Sequence, residues 1–394
     1  MTDVHPVTRR IVSRAIAALV LAGAGPAAWG QASSDQPPAY DVPKAGEQRL
    51  AIMGYGEINL NRPTNGANAV MDLRRFVFGF QYRFDDRTKF VSEVEVEHAV
   101  SSAQDPGEVE IEQAFIEHGF TGAVAARAGL MLIPAGLLNE THEPTAYYGV
   151  ERNFVETLII PTTWREGGLQ AIYTVAGLTL QVGATTTFDL NKWDFGPTSE
   201  SRTAPLASIH QELALARAHD FAGFAAANYR GVPGLLVGGS AFVGRASQGQ
   251  PGTPSATVSL WDLHARWTPW RLDLSALYAR GNITNTAQLN APHVGEPTLI
   301  PEVFDGWYVQ GAIRAWSSGS MALAPFVRYE QFNTGRSYAD LGAGNTPAAQ
   351  PTEGVLTAGA NFNLTSGIVL KADYQRFKED TGQNRFDVGL GWSF

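Results

Sequence analysis

Five glutamates, Glu93, Glu95, Glu97, Glu110 and Glu112, recur at alternate positions of two neighbouring segments. Carboxylates gathered in this way serve either proton transfer or the electrostatics of a wet cavity. A hydrolase sets one pair of carboxyl groups apart, whereas here nothing singles out a general acid, and the row reads equally well as charges that pair with bases across a wall. One other grouping has a catalytic pattern. Asp262 and His264 share a face two residues apart, and a tight turn at Pro269 brings Ser275 back toward them, which supplies a nucleophile, a base and an orienting acid. A lone histidine in a polar cavity is more often simply solvated. His142, His210, His219 and His293 lack metal-ligand spacing, cysteine is absent, and no GxGxxG, P-loop or HExxH pattern occurs. Neither a cofactor nor a metal is expected, and the chain does not read as an enzyme.

The elements that carry these residues alternate with period two. Phe76, Phe78, Phe80, Tyr82 and Phe84 share one face, against Arg75, Val77, Gly79, Gln81 and Arg83; Phe90, Val94 and Val96 oppose Lys89, Glu93, Glu95 and Glu97. Period two means strand, with one greasy face and one wet face. The pattern returns at Leu178, Leu180 and Val182 against Thr179, Gln181 and Thr185, and at Leu272, Leu274 and Tyr278 against Asp273 and Ser275. Sixteen strands are predicted, near residues 48–60, 70–84, 87–100, 108–120, 123–133, 166–175, 178–189, 219–230, 234–245, 256–267, 271–281, 304–316, 320–332, 354–364, 367–378 and 384–394. Tight joins such as Asp85-Asp86, Thr121-Gly122 and Ala176-Gly177 follow the even strands and longer connections follow the odd ones, so the short turns collect at one end. Within the fourth long connection, Leu206 to Arg217 reads as a short helix.

The ends add an address. Arg9, Arg10 and Arg14 precede an apolar run from Ala15 to Gly25 and small residues at Gly30 to Ala32, the pattern of a secretory signal peptide over residues 1–32. A polar, Pro-rich leader covers 33–46 and the strand-rich region 47–394. Removing residues 1–32 takes away three Arg and one Asp, leaving 26 basic against 37 acidic residues and a formal charge of −11, which argues against nucleic acid as a partner. No later stretch is apolar for the eighteen or so residues a membrane helix needs. If the chain sits in lipid it does so as a closed barrel, where every backbone group is paired. The fold class expected is therefore all-β, a transmembrane antiparallel β-barrel of about sixteen strands in the outer membrane of a Gram-negative bacterium. Its closing strand presents Phe386, Val388, Leu390, Trp392 and Phe394 on one face, and Phe394 is expected to act as the membrane-insertion signal.

Ala128 to Glu140, then Val150-Glu151-Arg152 and Ile160-Pro161-Thr162-Thr163-Trp164-Arg165-Glu166-Gly167, resemble the phosphate-selective porin O and P family, most sharply over residues 108–170. The resemblance implies a sixteen-stranded homotrimeric porin for passive diffusion of small hydrophilic solutes or ions, including anions such as phosphate. It also implies a third long loop folded inward to narrow the channel, here residues 135–165. That loop carries Leu137, Leu138, Tyr147, Tyr148, Phe154, Val155, Leu158, Ile159 and Ile160, costly to leave in water. The candidate constriction residues are Glu140, His142, Glu143, Glu151, Arg152, Glu156, Arg165 and Glu166, and the candidate pore-lining residues are Arg75, Arg83, Glu93, Glu95, Glu97, Glu110, Glu112 and Arg127. Phosphate-selective members line the channel with bases, whereas this loop carries more Glu than Arg, a departure that leaves the sign of selectivity open. The competing reading is an outer-membrane barrel enzyme or adhesin with a closed lumen, which a plugged interior would favour.

Overall fold

The structure, a computed structural model, describes residues 49–197 and 200–394. The signal peptide and leader expected over residues 1–46 lie outside the described residues. From Leu50 onward the chain is a run of antiparallel strands, each paired with its sequence neighbours: β1 Leu50–Pro63, β2 Val70–Arg83, β3 Thr88–Glu97, β4 Val109–Gly119, β5 Val124–Leu132, β6 Arg165–Val175, β7 Leu178–Thr185, β8 Ala222–Val232, β9 Leu235–Arg245, β10 Thr257–Trp267, β11 Leu272–Ile283, β12 Val303–Ile313, β13 Trp316–Ser318, β14 Met321–Ser337, β15 Glu353–Thr365, β16 Ile368–Phe377 and β17 Arg385–Ser393. β12 and β13 both pair with β14, in succession, and so form one wall strand interrupted at Arg314 and Ala315. Sixteen wall strands result. β17 pairs back onto β1 from Tyr55↔Ser393 to Pro63↔Arg385, which closes the sheet and leaves no edge.

Burial is inverted relative to a water-soluble protein. Leu169 is 65% exposed, Leu263 62% and Val182 52%, all facing outward, while alternate inward residues such as Gln170, Gln181, Asp262, Thr357 and Gln375 are buried. An outer band of apolar side chains is stable only against lipid, and the inward polar groups need water or one another. Near the end with the short turns, Phe84, Phe120, Trp270 and Trp316 are exposed, the aromatic belt expected where a barrel meets the headgroups.

The interior splits into two halves of different chemistry. Toward β8 to β12 lies an apolar core in which Trp164 packs on Phe188 and Phe242, with ring centroids 5.3 and 4.6 Å away, together with Val155, Ile159, Leu206, Ile209 and Phe304. Toward β14 to β17 and β1 to β4 buried charged and amide groups such as Glu57, Arg75, Arg328, Glu330, Asn361 and Asp373 line the interior, beside a small apolar cluster of Met53, Val91, Phe115 and Met131. The apolar core draws on residues 133–164 and 186–221 and also on Ala246, Ala256, Leu289 and Ile300 of later connections, so buried apolar groups are not confined to the third long loop.

Four expectations are corrected here. β7 ends at Thr185 rather than 189, because Thr186 and Thr187 turn into the loop carrying Phe188. β14 runs on to Ser337, and the twelfth wall strand is split. The helix expected over 206–217 does not form: only Ala207–Ile209 makes a turn, and Glu212, Leu213 and Leu215 have positive φ. Gln211 explains this, since its side chain donates to the Thr187 and Arg217 carbonyls and accepts from Arg217 N, while Glu212 is held by Arg165 at 2.9 Å. Tertiary hydrogen bonds here outweigh a weak local propensity.

Candidate functional site: the segment between β5 and β6

Residues 133–164 leave β5 and return to β6 through a neck closed by one side chain. Asn139 Nδ2 donates to the Ile133 and Trp164 carbonyls at 2.7 and 2.8 Å, and its Oδ1 accepts from Trp164 N at 2.7 Å. Glu156 then caps the first turn: Oε1 accepts from Leu137 N and Leu138 N at 2.5 and 2.7 Å, and Oε2 from Asn153 Nδ2 and the Tyr308 hydroxyl. Burial pushes the Glu156 carboxyl above its ordinary value, and those four donors oppose the shift. Gly136 has φ +68°, and a Cβ there would sit 2.4 Å from Glu156 Oε1. Gly136→Ala is therefore expected to destabilise the neck by about 1–3 kcal/mol. The readout is faster protease cleavage within residues 135–165 of the otherwise intact chain; unchanged cleavage would refute the role of this turn.

Beyond the neck, the segment hydrogen-bonds to inward-facing side chains around the wall. Tyr147 Oη donates to Glu57 Oε2 at 2.8 Å, Tyr148 Oη donates to Asp273 at 3.2 Å, and the Tyr148 carbonyl accepts from Arg328 at 3.2 Å. Gly149 N donates to Asn361, Val150 N to Asp373 at 2.6 Å, and Phe154 N to Glu330 at 2.6 Å. Lys371 lies 3.6 Å from the centre of the Tyr147 ring. On the other side, Arg75 binds Glu57 at 2.8 Å and donates to the His142 carbonyl at 2.6 Å. The partners stand on β1, β2, β11, β14, β15 and β16, so the backbone of this segment is satisfied by the barrel interior.

The anticipated constriction residues separate into three groups. Glu140, Glu143, Glu151 and Arg152 are partly exposed: Glu140 accepts from Gln181 at 3.0 Å, Glu151 from Asn61 at 3.1 Å, and Arg152 donates to Thr162 and Thr163. His142 and Glu156 are buried as described. Arg165 and Glu166 lie on β6 and are buried, Arg165 between Glu110 and Glu212 at 2.5 and 2.9 Å, Glu166 bound to Thr186 and Trp164.

The anticipated pore-lining residues also divide. Arg127 pairs with Glu117 at 2.7 Å and approaches Glu140 at 3.7 Å, Arg83 is partly exposed near the turn after β2, and Glu97 stands opposite Arg75 in register. The glutamates do not form an even ladder. The β3–β4 register slips between Glu93 and Val94, so that Glu112 is an extra residue in β4 beside Gln113, and it lies buried with Glu93 and Glu95. Strict alternation could not reveal a bulge.

The catalytic grouping does not assemble. Leu277, not Ser275, stands opposite His264; His264 Nδ1 meets Asp262 at 2.6 Å, but its Nε2 faces Asn228 Oδ1 at 2.8 Å, and Asp262 binds Ser240 and Gly136 N instead. Ser275 Oγ accepts only a long contact from Gln310 at 3.4 Å. The strand register sets this, since a hairpin pairs 264 with 277 and leaves 275 across from Arg266. Sequence reading missed Tyr55, Glu57, Asn361, Asp373 and Glu330, polar residues at inward strand positions whose importance comes from the segment bound to them.

A sixteen-stranded closed barrel with a lipid-facing apolar band is the fold of outer-membrane porins. Solved structures agree: the chain matches Salmonella typhi OmpF in complex with daunomycin at TM-score 0.61 and 14% identity, covering 88% of this chain and 97% of that one. It matches the outer-membrane channel DcaP of Acinetobacter baumannii at TM-score 0.53 and 13% identity over 88% and 97% of the two chains. An anion-selective porin from Comamonas acidovorans gives 0.52 and 11% over 88% and 99%. An uncharacterized protein of Aquifex aeolicus is 27% identical over 385 residues, 95% of this chain and 84% of that one. No family model matches the chain.

Proposed function

We propose that the chain is an outer-membrane porin through which small hydrophilic solutes and ions diffuse passively, with residues 135–165 as its constriction. The observation that carries this reading is the sixteen-strand closed wall, greasy outside and polar within, crossed by a segment whose backbone is bonded to inward side chains. A wall of this size encloses more space than side chains alone fill. Residues 1–32 act as a cleaved signal peptide, the short turns face the periplasm, and three copies associate through the outer face, where Gly223, Ala225 and Ala227 of β8 are exposed and short enough to let walls approach. No nucleic acid, cofactor or metal is required for passage.

Selectivity in this reading is weak. Glu140, Glu143 and Glu151 of the loop stand against Arg152, and screening over about 8 Å limits the decision to charges near the narrowest point. Purified protein added to a planar lipid bilayer should give step-like ohmic currents; correctly folded protein that never conducts would refute the channel and favour a closed-lumen barrel. Under a salt gradient the reversal potential should fall well short of the ideal value for either ion. Arg152→Ala should shift it toward cations. Phosphate strong enough to block chloride current would instead place the chain with phosphate-selective porins.

A further inference from the structure

Behind the segment, Glu93 of β3, the bulged Glu112 of β4 and His142 gather in a pocket closed to solvent: one ligating atom of each lies within 4.8 Å of the others, and all three residues are buried. Glu93 Oε2 accepts from Gln113 Nε2 at 2.5 Å. The Tyr55 hydroxyl donates to Glu112 Oε2 at 2.6 Å and is also 2.6 Å from His142 Nε2. Glu112 Oε1 has no hydrogen-bond partner and lies 3.6 Å from His142 Nε2, and Glu95 Oε1 beside them is buried without a partner as well. Arg75, the nearest guanidinium, is engaged by Glu57 and the His142 carbonyl. His142 Nδ1–H donates to the Asn139 carbonyl at 2.9 Å, so in the neutral imidazole the Nε2 lone pair faces the carboxylates. Carboxylates buried with so little compensation are costly, and a cation in their midst removes the cost.

We propose that Glu93, Glu112 and His142 bind one divalent transition-metal ion, which fastens residues 133–164 to the β3–β4 wall. One imidazole nitrogen with carboxylate oxygens and no thiolate suits zinc, cobalt or manganese. A tetrahedral ion with ligands at about 2.0–2.2 Å sets them about 3.4 Å apart, so no pair of the three groups has to close by more than about 1.4 Å. The β-bulge sets Glu112 next to Gln113, whose register partner is Glu93. The assignment is independent of the channel reading, because binding is measured without conduction.

The test uses the full chain in detergent micelles, stripped with EDTA and titrated with zinc chloride alone by calorimetry, with metal content counted after gel filtration. One ion per chain is expected, and cobalt in place of zinc should give visible absorption of a nitrogen- and oxygen-ligated ion. Glu112→Gln and His142→Ala should each weaken binding more than about tenfold. Glu93→Gln, which takes no part in the neck hydrogen bonds, serves if either fails to fold, judged by β-sheet circular dichroism. Zinc should raise the melting temperature of the wild-type chain and not of Glu93→Gln. No stoichiometric zinc or cobalt uptake by the wild-type chain would overturn the site, as would equal uptake by folded variants; in that case the carboxylates share protons instead.

Discussion

Excising residues 140–162 and joining Asn139 to Thr163 by a short Gly-Ser linker is expected to raise single-channel conductance at least about twofold and to weaken what ion selectivity there is. The excised stretch includes the interior contacts from His142 to Phe154, on β1, β2, β4, β11, β14, β15, β16 and β17, while Asn139 and Trp164 at the neck are kept. Current through a wet pore is limited by its narrowest cross-section, so removing a segment that spans it should have a larger effect than altering any single charge. The wall stays closed through β1 and β17, and the barrel should insert as before. Conductance is compared in planar bilayers under symmetric salt. Unchanged conductance in the excised chain would mean that the narrowest point lies elsewhere, with residues 186–221 the next segment to test.

The second large effect is expected from Arg328→Met. Arg328 and Glu330 are an ion pair at 2.9 Å with side chains 2% and 0% exposed, and both bind the inward segment, Arg328 at the Tyr148 carbonyl and Glu330 at Phe154 N. Methionine fills much of the volume but leaves Glu330 charged, buried and without its partner, a loss of about 3–5 kcal/mol. The double change Arg328→Met with Glu330→Gln should recover a good part of that loss, because the uncompensated charge is gone while an amide oxygen still accepts from Phe154 N. Urea denaturation in detergent, followed by β-sheet circular dichroism, compares the three proteins. If the single change matches wild type, or the double change is worse than the single, the burial of this charge pair has been misjudged.

Strand number and position were legible because a two-residue period between lipid and water is a property of the sequence alone. Predicted and observed boundaries differ by a residue or two at most strands, as at 70–84 against Val70–Arg83 and 256–267 against Thr257–Trp267. The larger errors, at Thr185, Ser337 and residues 206–217, all fall where a strand enters a long connection, and there contacts with distant residues rather than the local pattern decide the backbone. Within residues 135–165 the apolar side chains of Val155, Ile159 and Ile160 are buried.

Which polar groups meet inside was decided by tertiary structure. The bulge at Glu112 sets Gln113 rather than Glu112 opposite Glu93, the hairpin register parts Ser275 from His264, and Arg165 finds Glu110 and Glu212 on two other elements. Sequence by itself determined which face of each strand is wet, because each side chain's polarity and parity are fixed by its position. The partner of each wet group depends on register, bulges and the path of a loop across the interior, all set by the closure of the whole sheet, and no local segment encodes that closure.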